Sequence, residues 1–173
     1  MSFLYRYLLI LIACGALLLG IQVPNFVDQY QKRLDAHLQE VQTNLKGYQD
    51  IADRDFGGSL DALIRKHKDS DDATFRDEAA PIESMYLRRV HFEAQRSALQ
   101  ASLPQQAWYL LLHGDRELLS ETWASYSFAV PLNGLALLSG FGLAALLLIV
   151  VEILAGLFGA VRGLRTPRRS LRY

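Results

Sequence analysis

One cysteine, Cys14, is all that 173 residues supply, so the chain has no intramolecular disulfide. Alternation of apolar and polar residues never runs beyond four positions, and no Asn-Gly turn joins two apolar runs, so strands and hairpins of strands are excluded. Without strands, no glycine-rich phosphate loop can follow one, and no serine stands in a nucleophile elbow. Two long stretches also lack charge. Between Tyr7 and Val23 no side chain is charged, and between Leu135 and Val161 the only charge is Glu152. A helix of about 20 apolar residues covers a hydrocarbon core roughly 30 Å thick. The second stretch exceeds that length, and the first reaches it once Leu4 to Tyr7 are included.

These absences give the expected architecture. The fold class is an all-α membrane protein, with two transmembrane helices flanking a periplasmic antiparallel helical hairpin domain that carries short extra helices. Residues 1–24 form the first membrane helix with a short N-terminus, 25–131 the α-helical domain, 132–161 the second membrane helix, and 162–173 a basic tail. A net charge of zero conceals a segregation. Six arginines and one acid lie outside residues 24–131, which leaves 12 Lys and Arg against 17 Asp and Glu inside. Arg6 precedes the first apolar run, and Arg162, Arg165, Arg168, Arg169 and Arg172 follow the last residues of the second. Short basic flanks are retained in the cytoplasm, so both termini are expected there and the acidic middle on the far side.

Leu11, Ile12, Ala13 and Cys14 match a lipoprotein cleavage pattern. The apolar run continues through Gly15–Ile21 instead of turning polar, which favours an uncleaved helix. That helix is expected to end near Pro24, with Asn25 capping a new one. Val27, Tyr30, Leu34, Leu38, Val41, Leu45 and Tyr48 recur at three- and four-residue steps, one face of a helix in need of a partner. Gly57 and Gly58 end it, and Ser59 caps a short helix carrying Leu60, Leu63 and Ile64. After a polar loop at 68–72, Thr74 and Asp77 have capping-box spacing, although Pro81 argues for a later start. The apolar set of this second long helix is Phe75, Ile82, Met85, Tyr86, Leu99 and Leu103. Pro104 starts a helix holding Trp108 to Leu112, Gly114 ends it, and Asp115 caps another with Leu118, Leu119 and Trp123. The expected hairpin packs 25–56 against 81–103, with Leu34, Leu38, Val41 and Leu45 inside. Trp123, Tyr126 and Phe128 suit the outer membrane interface, Tyr5 and Tyr7 the inner one.

Asp53, Asp55, Gly57 and Gly58 briefly resemble a calcium loop, but position 12 counted from Asp53 is Ile64 where such a loop needs a bidentate Glu. Asp55, Phe56 and Gly57 match a kinase tripeptide with no other kinase element nearby. His37, His67, His91 and His113 form no pair at metal-ligand spacing. No metal, no cofactor and no catalytic residue is therefore expected. The arginine tail follows a membrane helix directly, which fits anionic lipid headgroups rather than nucleic acid. Glu152 lies ten residues before Arg162, about 15 Å along the helix, where a carboxyl costs about 2.5–3.5 kcal/mol on insertion scales. Ala145, Gly156, Gly159 and Gly163 fall on its side of a helical wheel, and the first helix offers Ala13, Ala16 and Gly20. Small residues at four-residue spacing let helices approach closely. Expected partners are membrane lipids and either other membrane proteins or further copies of the chain. Glu152 serves there as hydrogen-bonding glue or, alternatively, as a proton- or ion-handling group.

Gln22, Val23, Pro24, Asn25, Phe26, Val27, Asp28, Gln29 and Tyr30, followed by Arg33 and Leu34, carry a resemblance. So do Ile51, Ala52, Asp53 with Phe56, Gly57, Gly58, and Val130, Pro131, Leu132. With these residues the chain resembles a family of uncharacterised proteobacterial membrane proteins, domain of unknown function 2937. The resemblance implies a bacterial inner membrane and a periplasmic central domain, and assigns no active residues.

Overall fold

The computed structural model describes the backbone of residues 3–127 and 133–164, and the side chains of 5–127 and 133–157. Among the described residues there are six helices and no strand: α1 (Phe3–Asp55), α2 (Leu60–Lys68), α3 (Ala73–Ala98), α4 (Leu103–His113), α5 (Arg116–Ala124) and α6 (Gly134–Leu164). They form two compact units, Phe26–Tyr126 and the two flanks Met1–Asn25 with Ser127–Tyr173. Helices α1 and α6 each contain a stretch long and apolar enough to cross a membrane. Phe128 and the segment Val130, Pro131, Leu132 lie outside the described residues, as do Arg165, Arg168, Arg169 and Arg172.

Helix α1 does not stop at Pro24. It runs on to Asp55 with the proline inside it. Proline removes one N–H, here the donor to the Gly20 carbonyl, and this costs a single rung of the ladder. The helix nonetheless continues on both sides of Pro24. Asn25 accordingly caps nothing. Its side-chain amide lies 3.5 Å from Gln22 Oε1 and 3.4 Å from the Ser127 carbonyl.

In the central unit the apolar stripe of α1 is the core. Val27, Tyr30, Leu34, Leu38, Val41 and Leu45 are buried together with Ile82 and Phe92 of α3, Leu99, Leu110 and Leu118, and Tyr48 packs at the edge. Contacts pair ascending positions of α1 with descending positions of α3. Gln31 Nε2 donates to the Leu99 carbonyl at 3.2 Å, Arg96 meets Asp35 at 3.1 Å, the His37 ring faces Phe92, and Arg89 reaches Gln49. The two segments thus run in opposite directions.

Gly57 and Gly58 have φ of 59° and 84° and close α1, with the Gly58 N–H returning to the Ala52 carbonyl at 2.9 Å. That left-handed pair is the ordinary way to satisfy the last carbonyls of a helix. Gln49 Nε2 donates to Asp53 Oδ1 and to the Gly58 carbonyl, so the Asp53 carboxylate serves the turn. Ser59 Oγ caps α2 by accepting from the Ala62 N–H.

Helix α3 begins earlier than Pro81 suggests. Asp72, not Thr74, is its cap and accepts from the Thr74 N–H at 2.8 Å. Helix α2 docks on the turns before Pro81: the His67 ring meets the edge of Phe75 and lies 3.9 Å from Glu78, and Lys68 pairs with Glu83 just beyond the proline at 2.7 Å. The apolar set also differs. Phe75 is half exposed, Leu99 is the C-terminal cap and Leu103 opens α4, whereas Phe92 and Gln95 are buried on α3. On α4, capped by a Ser102–Gln105 box, only Leu110 is buried, and on α5 Leu118 is buried while Trp123 faces outward.

Candidate functional site

The flanking unit is organised by a contact between the first part of α1 and α6. At Gly20 an added Cβ would lie 2.7 Å from Gly140 Cα and 2.7 Å from the Ser139 carbonyl oxygen. At Gly140 it would lie 2.7 Å from Ile21 Cγ1 and 2.9 Å from the Leu17 oxygen. Backbone therefore meets backbone, and no larger residue fits at either position. Ala16, Ile21, Ala136 and Ala144 are buried around this point. Small residues at four-residue spacing, Ala136–Gly140–Ala144 against Ala16–Gly20, are the arrangement that lets apolar helices pack without a hydrophobic driving force.

Further along, Ala13, Cys14 and Leu17 face Ala144, Ala145 and Leu148 across a shallow apolar groove. Beyond it Tyr5 Oη donates to Glu152 Oε1 at 3.4 Å. Tyr5, Ala13, Leu17 and Ile21 belong to one i+4 row of α1, and Ala136, Gly140, Ala144, Leu148 and Glu152 to one i+4 row of α6. Row on row is a common way for helices to interlock.

Of the residues singled out in the sequence, Ala16 and Gly20 lie at the close approach, and Ala13 and Ala145 beside the groove. Gly156 is exposed, and a Cβ there would meet nothing within 4 Å. The surroundings of Gly159 and Gly163 lie outside the described residues. Gly140, Ala136 and Ala144 escaped the sequence reading for a geometrical reason. A wheel centred on Glu152 keeps residues in angular register with it, but an i+4 row drifts by about 40° per step at 3.6 residues per turn. Three steps back from Glu152 the contact has moved by about 120° around the wheel, away from the Glu152 side.

The central unit contains a second assembly. Tyr30 Oη donates to Gln95 Oε1, and accepts from the Asp115 N–H at 3.0 Å. Gln95 Nε2 lies 2.7 Å from His91 Nε2, which is 3.1 Å from Asp115 Oδ2. Four residues from α1, α3 and the start of α5 thus close a polar ring. Its histidine nitrogen faces both a donor and an acceptor, so the tautomer decides which of them it serves. Burial pushes the Tyr30 phenol up to about 12; the neighbouring Asp115 N–H pulls the other way and the Asp115 charge adds to the rise. Burial alone would raise Asp115, but N–H bonds from Leu118 and Glu117 and the contact with His91 bring its carboxyl below the usual range.

Next to the ring, Glu121 of α5 takes His37 at 3.0 Å and Arg33 at 3.0 Å, and these bonds hold its carboxyl below the usual value. Arg33 also donates to Ser125 Oγ. The sequence carried a signal for the ring. Gln95 falls on the face of Ile82, Phe92 and Leu99, and a glutamine on a buried face needs partners. What these groups can do is hold: their hydrogen bonds and ion pairs fasten α5 across α1 and α3. Among the described residues no group of three or more His, Cys, Asp or Glu is placed to hold a metal ion.

No curated protein and no solved structure matches the chain. A family does: over residues 4–163, from the first turn of α1 to the end of α6, the chain belongs to the family described as protein of unknown function (DUF2937).

Proposed function

We propose that the chain is a non-enzymatic accessory or scaffold protein of a bacterial inner membrane. In this reading both termini are cytoplasmic and Phe26–Tyr126 is a periplasmic antiparallel helical hairpin domain with short covering helices. The protein binds partner proteins through its membrane helices and through that domain. The observation that carries the reading is the Gly20–Gly140 contact: two apolar helices meet backbone to backbone, which is how helices associate inside a bilayer. Purification of the intact chain in mild detergent, with identification of what accompanies it, tests the proposal. A stable heteromeric partner is the expected outcome, and a chain that purifies alone as a monomer overturns it.

A second reading, a small proton- or ion-handling component working through Glu152 in an oligomer, rests on the cost of placing a carboxyl among apolar residues. The Tyr5 hydroxyl gives Glu152 a partner within the chain, which favours structural glue. Glu152→Gln keeps an acceptor for Tyr5 and loses only proton exchange, so glue predicts near silence for Gln and a loss of about 1 kcal/mol in helix association for Glu152→Leu. Equal damage from Gln and Leu, read as loss of the intact protein's phenotype with assembly preserved, would establish the second reading.

A further inference from the structure

Helix α4 carries an apolar face that none of the described residues covers. Trp108, Leu111 and Leu112 are 63%, 74% and 55% exposed. They sit at i, i+3 and i+4, with Pro104 one turn before Trp108, so they form one stripe and not a scatter. The opposite side of the helix is inward: Leu110 is buried, and Ala107, Tyr109 and Leu103 pack on the core. An isolated exposed leucine needs no explanation, but a tryptophan and two leucines on one face do.

The composition of this stretch is as informative as its exposure. From Ser97 to Gly114 there is no Asp, Glu, Lys or Arg, although the central unit is otherwise dense in charge. A surface meant for water or for a charged partner is not depleted in this way. The polar residues that remain near the stripe are glutamine and histidine, and Gln106 is turned back onto the chain, donating to the Leu99 and Ala101 carbonyls at 2.7 and 2.8 Å.

The position of α4 within its unit names the occupant. The Leu99 carbonyl that binds Gln106 also binds Gln31, five residues after Phe26, where the unit begins. Helix α4 therefore lies at the end of the unit from which the chain leaves for the two apolar segments. That end carries a cluster of aromatic rings as well. Phe26, Tyr126 and Trp123 have ring centroids 5.6–6.3 Å apart, and Trp123 is 66% exposed. Aromatic rings with a polar edge favour the headgroup level, and a helix with one apolar and one packed face lies well in that plane.

We infer that α4 is an interfacial helix, with Trp108, Leu111 and Leu112 inserted at the boundary between headgroups and acyl chains of the bilayer that the apolar helices cross. The inference rests on the membrane reading given above. Its consequence is that the central unit is held against the lipid surface by its own side chains and not by its connections alone.

The experiment uses the full chain reconstituted into phosphatidylcholine vesicles. Because the chain has two tryptophans, Trp123→Phe leaves Trp108 as the only one. Half of the lipid is replaced by phosphatidylcholine brominated either high or low on the acyl chain. Trp108 emission should fall by about half with the high bromines, fall less with the low ones, and resist acrylamide in water. Emission quenched by acrylamide and not by bromine would overturn the inference in favour of a bare surface. Emission shielded from both would overturn it in favour of a covering protein or a second copy. A nitroxide at Leu111→Cys in a Cys14→Ser chain gives the same decision without touching either tryptophan. Collisions with oxygen should exceed those with a water-soluble nickel chelate, and the reverse order overturns the inference. If alkaline carbonate strips the chain from the vesicles, the membrane reading falls and the inference with it. A chain that stays embedded with Trp108 unquenched by bromine defeats the inference alone.

Discussion

Gly20 and Gly140 are the positions at which a single substitution has least room. At each, the nearest atoms to an added Cβ include backbone, which cannot turn aside as a flexible side-chain end can. Gly140→Leu is therefore expected to separate α1 from α6 or distort both, at about 1–3 kcal/mol. Gly156→Leu, with open space around it, should leave the thermal unfolding of the chain in detergent unchanged. Equal melting temperatures for the two variants would remove the contact as the organising feature of that unit. Tyr30 makes a different kind of prediction. Its phenol titrates near 10 when unfolded and about 12 in the folded chain. The neutral form is the one the fold prefers, so its contribution to stability is complete below pH 10 and is lost as pH rises from 10 through 12. Alkaline titration followed by tyrosinate absorbance should show a late-titrating component that is lost in Tyr30→Phe. The same substitution strips the Asp115 N–H and Gln95 Oε1 of their partner, at a cost of about 1–3 kcal/mol. A Tyr30→Phe chain with an unchanged alkaline titration would place the late group elsewhere.

Elements follow a clear division between what local chemistry dictates and what packing decides. The ends of α1, α2, α4 and α5 were legible because glycine pairs, serine and aspartate caps and a proline at a first turn act locally. The stripe from Val27 to Leu45 was legible because its three- and four-residue steps persist over five turns. The prolines misled. Pro24 and Pro81 each predict a boundary from local sterics, but both helices continue through their prolines, and at α3 contacts with α2 hold the turns before Pro81. The buried side of α4 was not legible for a related reason. Trp108, Leu111 and Leu112 are as apolar as Leu110, and composition alone cannot separate the side of α4 that turns inward. The polar ring was hidden because Tyr30 falls by its spacing on an apolar stripe, and its partners are brought together only by tertiary packing. The stripe itself yields a firm expectation. Leu38 is 2% exposed, so Leu38→Asp buries a charge with no partner and should destabilise the full chain by about 3–5 kcal/mol. An unaltered unfolding transition would mean that α1 does not need this face covered.

For the whole molecule, the deciding quantity is where charge is absent and where it gathers. Two apolar stretches, each long enough to cross a membrane, enclose a segment with an excess of five acids, and arginines cluster beyond the second stretch. Two crossings return a chain to its starting side, so Arg6 and the arginine tail must favour the same compartment or contradict each other. They agree, so under the proposed reading retention of short basic flanks would hold both ends in the cytoplasm. The arrangement can be tested with the protein in its own membrane. In a Cys14→Ser chain, a cysteine at Asp71, an exposed position between α2 and α3, should react with a membrane-impermeant thiol reagent added to spheroplasts. A cysteine at Ser170, in the tail outside the described residues, should react only after the membrane is opened. The reverse pattern would invert the protein and remove the periplasmic domain. Labelling of both positions before lysis would mean that the two apolar stretches do not both span. In that case Gly20 and Gly140 would have to meet in water, where their neighbours Leu18, Leu19, Leu138 and Phe141, all more than half exposed, would have no lipid to cover them. That cost is the physical reason for expecting the first pattern.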